Sequence, residues 1–123
     1  MLPYAAAQQT EENDIQKLTV VVTEAIERIA SSSGLSEEKV LKILEAYSVA
    51  EIREGKINGE AAFKASAFNK ALDKAVKSIS YATGLNSVEI SSVFNEIRGS
   101  SLDNVVRRLR EKSKQNRWIL SHY

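Results

Sequence analysis

Ile29-Ala30-Ser31-Ser32-Ser33-Gly34-Leu35-Ser36-Glu37-Glu38-Lys39-Val40 reads as the end of one helix, a tight turn and the start of another. Gly34 supplies the left-handed residue that closes a helix C-terminus. Ser36 is a natural N-cap, and the two glutamates after it suit the positive end of a helix dipole. Fifty residues later Ile79-Ser80-Tyr81-Ala82-Thr83-Gly84-Leu85-Asn86-Ser87-Val88-Glu89-Ile90 has the same order. The correspondence extends outward without a gap, Ala25-Ile26 to Ala75-Val76 and Ile43-Leu44 to Val93-Phe94. Few of these pairs are identities, so the repeat lies in the pattern. In the second copy Asn86 and Glu89 have the spacing of a capping box, with Asn86 in the place of Ser or Thr.

Apolar stripes at helical spacing run on both sides of each turn. Before the first lie Ile15, Leu18, Val22, Ala25, Ile26 and Ile29, which predict a helix from about residue 10 to the serines. After it, Val40, Ile43, Leu44, Tyr47 and Ile52 predict one helix from Ser36 to about Glu54. Residues 55–59, with two glycines and an Asn-Gly pair, read as a loop dividing the copies. Phe68, Leu72, Ala75, Val76 and Ile79 mark a third helix over about 60–83, and Ile90, Val93, Phe94 and Ile97 a fourth ending at Gly99. Leu102, Val105, Val106 and Leu109 form the stripe of a fifth, which stops after Leu109. Residues 1–9 read as an apolar arm without a period. Nothing alternates with period two. The expectation is an all-α single domain of about five helices: an acidic hairpin over 10–54, a second over 60–99, and a basic C-terminal helix with an aromatic tail over 100–123.

The 123 residues, 43% hydrophobic and 27% charged, have the balance of a globular chain. There is no cysteine, and His122 is the only histidine, so disulfides, thiolate metal sites and histidine acid–base chemistry have nothing to work with. No Ser-His-Asp set, phosphate-cradling glycine loop or ligand cluster can be assembled. The expectations are no enzyme, no cofactor, no metal and no small-molecule substrate. No apolar run reaches the roughly 18 residues that span a bilayer, so no membrane partner is expected, and the setting is cytoplasmic or inside a nucleoprotein particle.

The formal charge of +1 conceals an asymmetry. Residues 1–54 carry a net −5 and residues 55–123 a net +6. Such a division serves either a polyanion on one half or the packing of acidic onto basic surfaces between molecules.

Around the two turns the chain resembles the helix-turn-helix motif of DNA-binding proteins. The small residue, turn glycine and two later apolar anchors of that motif match Ala30, Gly34, Val40 and Ile43, and again Ser80, Gly84, Ile90 and Val93. The resemblance implies that the helix after the second turn enters a DNA groove, presenting Ser87, Ser91, Asn95 and Arg98 to base edges. The corresponding helix of the first copy, carrying Glu37, Glu38 and Glu45, would repel phosphates.

Two further groups complete the expected interface. Lys70, Lys74 and Lys77 fall on one helix face, and Arg107, Arg108, Arg110, Lys112, Lys114 and Arg117 crowd the last helix. Guanidinium forks and ammonium groups suit phosphates, although both sets also read as solvated faces. Leu2 and Tyr4 at one end, and Trp118, Ile119, Leu120 and Tyr123 at the other, are expected contacts between copies in an oligomer. The functional expectation is a non-enzymatic, oligomeric protein that coats or packages double-stranded DNA, a viral coat or nucleocapsid subunit being one instance. A sequence-specific helix-turn-helix regulator and a helical protein–protein adaptor are the alternatives.

Overall fold

A computed structural model describes residues 3–57, 64–96 and 102–121, and the side chains of 12–57, 64–96 and 102–115. Six helices follow one another: α1 (Pro3–Ser33), α2 (Glu37–Ala46), α3 (Val49–Arg53), α4 (Ala65–Thr83), α5 (Ser87–Glu96) and α6 (Leu102–Ser121). The all-α expectation is met, and there is no strand among the described residues.

The two turns are built alike down to single atoms. Gly34 and Gly84 sit at φ 81° and 76°, and their N–H groups donate to Ala30 O and Ser80 O at 3.0 and 2.7 Å. One residue earlier, Ser33 Oγ and Thr83 Oγ1 each donate to the carbonyl four residues back, both at 2.7 Å. Two residues after each glycine, Ser36 Oγ and Asn86 Oδ1 accept the N–H of Lys39 and Glu89. Glu89 Oε1 accepts in return from Asn86 N, completing the capping box. The carboxamide therefore serves where a hydroxyl is usual.

The duplication sets the packing. Helix α1 lies on α4 and α2 lies on α5, so like meets like across the seam between the hairpins. A single apolar core runs through both. It includes Leu18, Val22, Ile26 and Ile29 from α1, Phe68, Leu72, Val76 and Ile79 from α4, and Val40, Ile43, Ile90 and Val93 from the shorter helices. A void in the seam has about 20 Å³, the room of a single water. Helix α6 closes the bundle over α1, α4 and α5 with Val105, Val106 and Leu109. At roughly 1.5–3 kcal/mol for each large apolar side chain buried, this stripe holds α6 in place.

Four expectations change. Residues 3–9 belong to α1 rather than to a free arm: Pro3 is the first helical residue, where its missing N–H costs nothing, and three alanines follow. The single helix expected from Ser36 to Glu54 is two, because Ser48 caps a new helix. Ser48 Oγ accepts from Glu51 N and Glu51 Oε1 accepts from Ser48 N, each at 3.1 Å. The loop before the second copy is partly core, with Ile57 fully buried. Just before α4, Lys64 N donates to Ser33 O at 3.2 Å, satisfying a carbonyl at the end of α1. Finally, the inward stripe of α6 does not stop at Leu109. Ser113, one turn on, is buried and donates through Oγ to Thr83 O at 2.5 Å. A hydroxyl there escapes any search for apolar periodicity.

Candidate nucleic-acid interface

Helix α5, the expected reader of DNA, is tied down on the side that was to face the groove. The break between α2 and α3 leaves unpaired carbonyls on one side and unpaired N–H groups on the other. Asn95 Nδ2 donates to Leu44 O, Glu45 O and Tyr47 O at 2.8, 3.1 and 3.3 Å. Ser91 Oγ accepts from Val49 N at 3.0 Å. Ser91 and Asn95, four apart and so on one face of α5, cap both ends of the break from across the seam. This runs against their assignment as base-contacting residues, since the Asn95 amide nitrogen and the Ser91 hydroxyl oxygen are already bonded to the backbone of the first hairpin. Ser87 is half-buried at the start of α5, beside a hollow shared with α3. Arg98 lies outside the described residues.

The basic set on α6 is also less free than its composition implies. Arg107 Nε meets Asp103 Oδ2 at 2.9 Å. Arg108 bridges Glu96 at 3.5 Å and Glu111 at 3.1 Å, and Lys112 reaches Glu96 at 3.9 Å. Arg110 is mostly buried and donates through Nη2 to Asp14 Oδ2 of α1 at 2.9 Å, while its Nε has no acceptor among the described residues. Arg110 is thus a joint between the first and last helices, which corrects its assignment to a phosphate-binding face. Arg107 and Arg108 stay partly open to solvent beside their carboxylates, and Lys114 is exposed. The side chain of Arg117 lies outside the described residues, as do Leu2, Tyr123 and the side chains of Tyr4, Trp118, Ile119 and Leu120.

The α4 stripe is different. Lys70, Lys74 and Lys77 are exposed, and none has an ion-pair partner among the described residues. The acid nearest them in sequence, Asp73, is drawn away to α3: Arg53 places Nη2 and Nε on Asp73 Oδ1 at 2.8 and 3.0 Å. This ion pair, which sequence spacing did not reveal, leaves the ammonium groups uncompensated on their own helix. Where α4 crosses α1, Arg28 joins Lys77 in the wall of a surface hollow of about 410 Å³. A second hollow of about 420 Å³ adjoins it, with Lys17 in its wall. Tyr81, 95% exposed, belongs to both.

Among the described residues no group of acidic or histidine side chains is placed to hold a metal ion, and no helix is long and apolar enough to cross a membrane. Glu51, at the helix break, has a shifted carboxyl. The Ser48 backbone N–H, then the Ser48 hydroxyl and the charge of Lys56, hold its carboxyl below the ordinary value. It is structural chemistry.

No curated protein and no solved structure matches this chain. A family model described as Herpesvirus phosphoprotein 85 (HHV6-7 U14/HCMV UL25) matches residues 5–116, from the first turns of α1 to near the end of α6. The chain belongs to the herpesvirus phosphoprotein 85 family, and its setting is that of a viral structural protein.

Proposed function

We propose that this protein is a non-enzymatic structural subunit of a viral particle that holds double-stranded DNA by its phosphates without reading its sequence. The carrying observation is the α4 face, where Lys70, Lys74 and Lys77 stand exposed while Arg53 engages the intervening Asp73. Spacings of four and three put the ammonium groups along one line of the helix. Arg28 extends the positive surface onto α1. The proposal gives α5 no reading role, because Ser91 and Asn95 are already bonded to the first hairpin.

Three lysine–phosphate contacts on a duplex correspond to a salt slope of about −2.7, and so to roughly a forty-fold loss of affinity between about 50 and 200 mM salt. Fluorescence anisotropy with labelled duplexes of unrelated sequence measures this directly. The expected result is one affinity for all duplexes, falling steeply with salt and largely abolished in Lys70→Glu/Lys74→Glu/Lys77→Glu. Absence of duplex binding at about 50 mM salt rejects the proposal.

Glu37 and Glu38 on α2 and Glu54 after α3 are also exposed, which favours a second reading in which acidic and basic faces join copies of the chain. Sedimentation velocity without DNA tests it: salt-sensitive association is expected, and a monomer at all salt concentrations removes it.

A further inference from the structure

Lys70, Lys74, Lys77 and Tyr81 are spaced four, three and four residues apart, so the tyrosine continues the lysine line by one more turn. From first to last the line extends about 16 Å at the rise of an α-helix. Among the described aromatic residues Phe68 and Phe94 are buried and Tyr47 is half-buried, while Tyr81 is 95% exposed. A tyrosine in open water serves no packing purpose for this fold. It stands between the two hollows at the α1–α4 crossing. Val21, Ala25 and Ala82 give one an apolar lining with Arg28 and Lys77 as its cations. Leu18, Val21 and Ala82 line the other, with Lys17 as its exposed cation.

We propose that this face takes a single-stranded nucleic-acid segment, with a base stacked on the Tyr81 ring and the flanking phosphates on Lys77, Lys74 and Arg28. The inference rests on the phosphate-binding role of α4 and adds the chemistry of the ligand to it. A duplex keeps its bases stacked inside and offers the ring nothing, so lysines alone serve it. An unpaired strand offers both phosphates and π-faces, and the pairing of a cationic track with an exposed aromatic matches that combination. The apolar linings give an unstacked base a place out of water on either side of the ring. Glu24 and Asp14 also line these hollows, one in each, and Asp14 is already paired with Arg110. The lone carboxylate of Glu24 disfavours phosphate at that edge and can accept from a base amino group instead.

The test is anisotropy at about 50 mM salt with labelled oligothymidylate and with a duplex of equal length, using the full chain and its Tyr81→Ala and Tyr81→Phe variants. Tyr81 is solvated, so its truncation leaves the core intact. Loss of one stacking contact weakens oligothymidylate binding by about five-fold or more. The expected result is that loss in Tyr81→Ala, retention in Tyr81→Phe, and an unchanged duplex affinity in both. If Tyr81→Ala weakens neither ligand while both still bind, the stacking proposal fails and the phosphate-binding reading stands. If neither ligand binds, both fail together. If Tyr81→Ala alters self-association in sedimentation velocity and leaves nucleic-acid affinity unchanged, the face belongs to a second copy of the chain and the proposal is overturned.

Discussion

The Asn95 carboxamide donates to the Leu44 carbonyl at 2.8 Å across 51 residues of chain, and so caps the C-terminus of α2 from the opposite hairpin. One Nδ2 serves three carbonyls there, those of Leu44, Glu45 and Tyr47. Truncation to Ala strands these groups beside a partly buried seam. Asn95→Ala is expected to destabilise the fold by about 1–3 kcal/mol while leaving duplex affinity within two-fold, roughly the resolution of such titrations. Asn95→Asp is expected to be worse, because a carboxylate would face carbonyl oxygens. Urea unfolding alongside anisotropy checks the pair, and a large affinity loss with normal stability would restore Asn95 as a DNA contact.

Gly34 and Gly84 differ from most glycines in a clean way. Both have positive φ, and a Cβ added at either meets nothing within 4 Å. Substitution therefore costs backbone strain alone. Gly34→Ala and Gly84→Ala are each expected to lose about 1–2 kcal/mol, with Asn at either position losing less because it tolerates the left-handed region. Because the sites lie in separate hairpins, the double variant measures whether the two turns unfold together. One cooperative urea transition with additive losses is expected, since one core joins the hairpins.

Arg110 and Asp14 join the two ends of the described fold. The arginine side chain is 15% exposed and the aspartate 38%, so water screens the pair only in part. Asp14→Asn leaves a mostly buried guanidinium without its anion. Arg110→Met removes the charge and keeps much of the packing. A double-mutant cycle is expected to give a coupling of about 0.5–3 kcal/mol, with Arg110→Met milder than Asp14→Asn. Coupling near zero would mean that packing, not charge, holds α6 to α1.

The pH response of the α2–α3 break follows from Glu51. Its carboxyl is lowered first by the Ser48 backbone N–H, so the folded state favours the ionised form more than the unfolded chain does. The resulting stability is present above the unfolded value near 4.5 and is lost as pH falls through the lower folded value. The Tm difference between wild type and Glu51→Gln is therefore expected at neutral pH and should shrink as the solution is acidified below about pH 4.5. A difference independent of pH would assign the effect to shape rather than charge.

What the sequence discloses here is what short-range chemistry controls. Gly34, Gly84, Ser36, Asn86 and the apolar stripes act within one or two turns, and their order announces both hairpins. Ser48-Val49-Ala50-Glu51 is equally local, yet Val40, Ile43, Leu44, Tyr47 and Ile52 carry the apolar pattern across the break and hide it. The roles of Ser91, Asn95 and Ser113 lie outside local reading altogether, because each polar atom answers a backbone group at least 30 residues away. The same distance effect misleads about charge. Arg110 looks like part of a basic helix until Asp14 appears beside it, and Asp73, at helical spacing from Lys70 and Lys77, is taken instead by Arg53.

That redistribution of charge yields a ranking between the two basic faces. Arg107 and Arg108 each face at least one carboxylate within 3.5 Å, so a phosphate must compete with an existing anion. Lys74 and Lys77 have no such competitor among the described residues. Losing one uncompensated phosphate contact lowers the salt slope by about 0.9, whereas losing a compensated one changes it less. Lys74→Glu/Lys77→Glu is therefore expected to weaken duplex binding by an order of magnitude more than Arg107→Glu/Arg108→Glu at about 50 mM salt, and to flatten the slope by roughly two. Thermal melts of both variants are needed beside the titrations, because reversing Arg108 sets a third acid next to Glu96 and Glu111 and should itself lower stability. If the arginine variant proves folded and the more damaged in binding, the contact face is α6, and the lysine line of α4 is only its solvated neighbour.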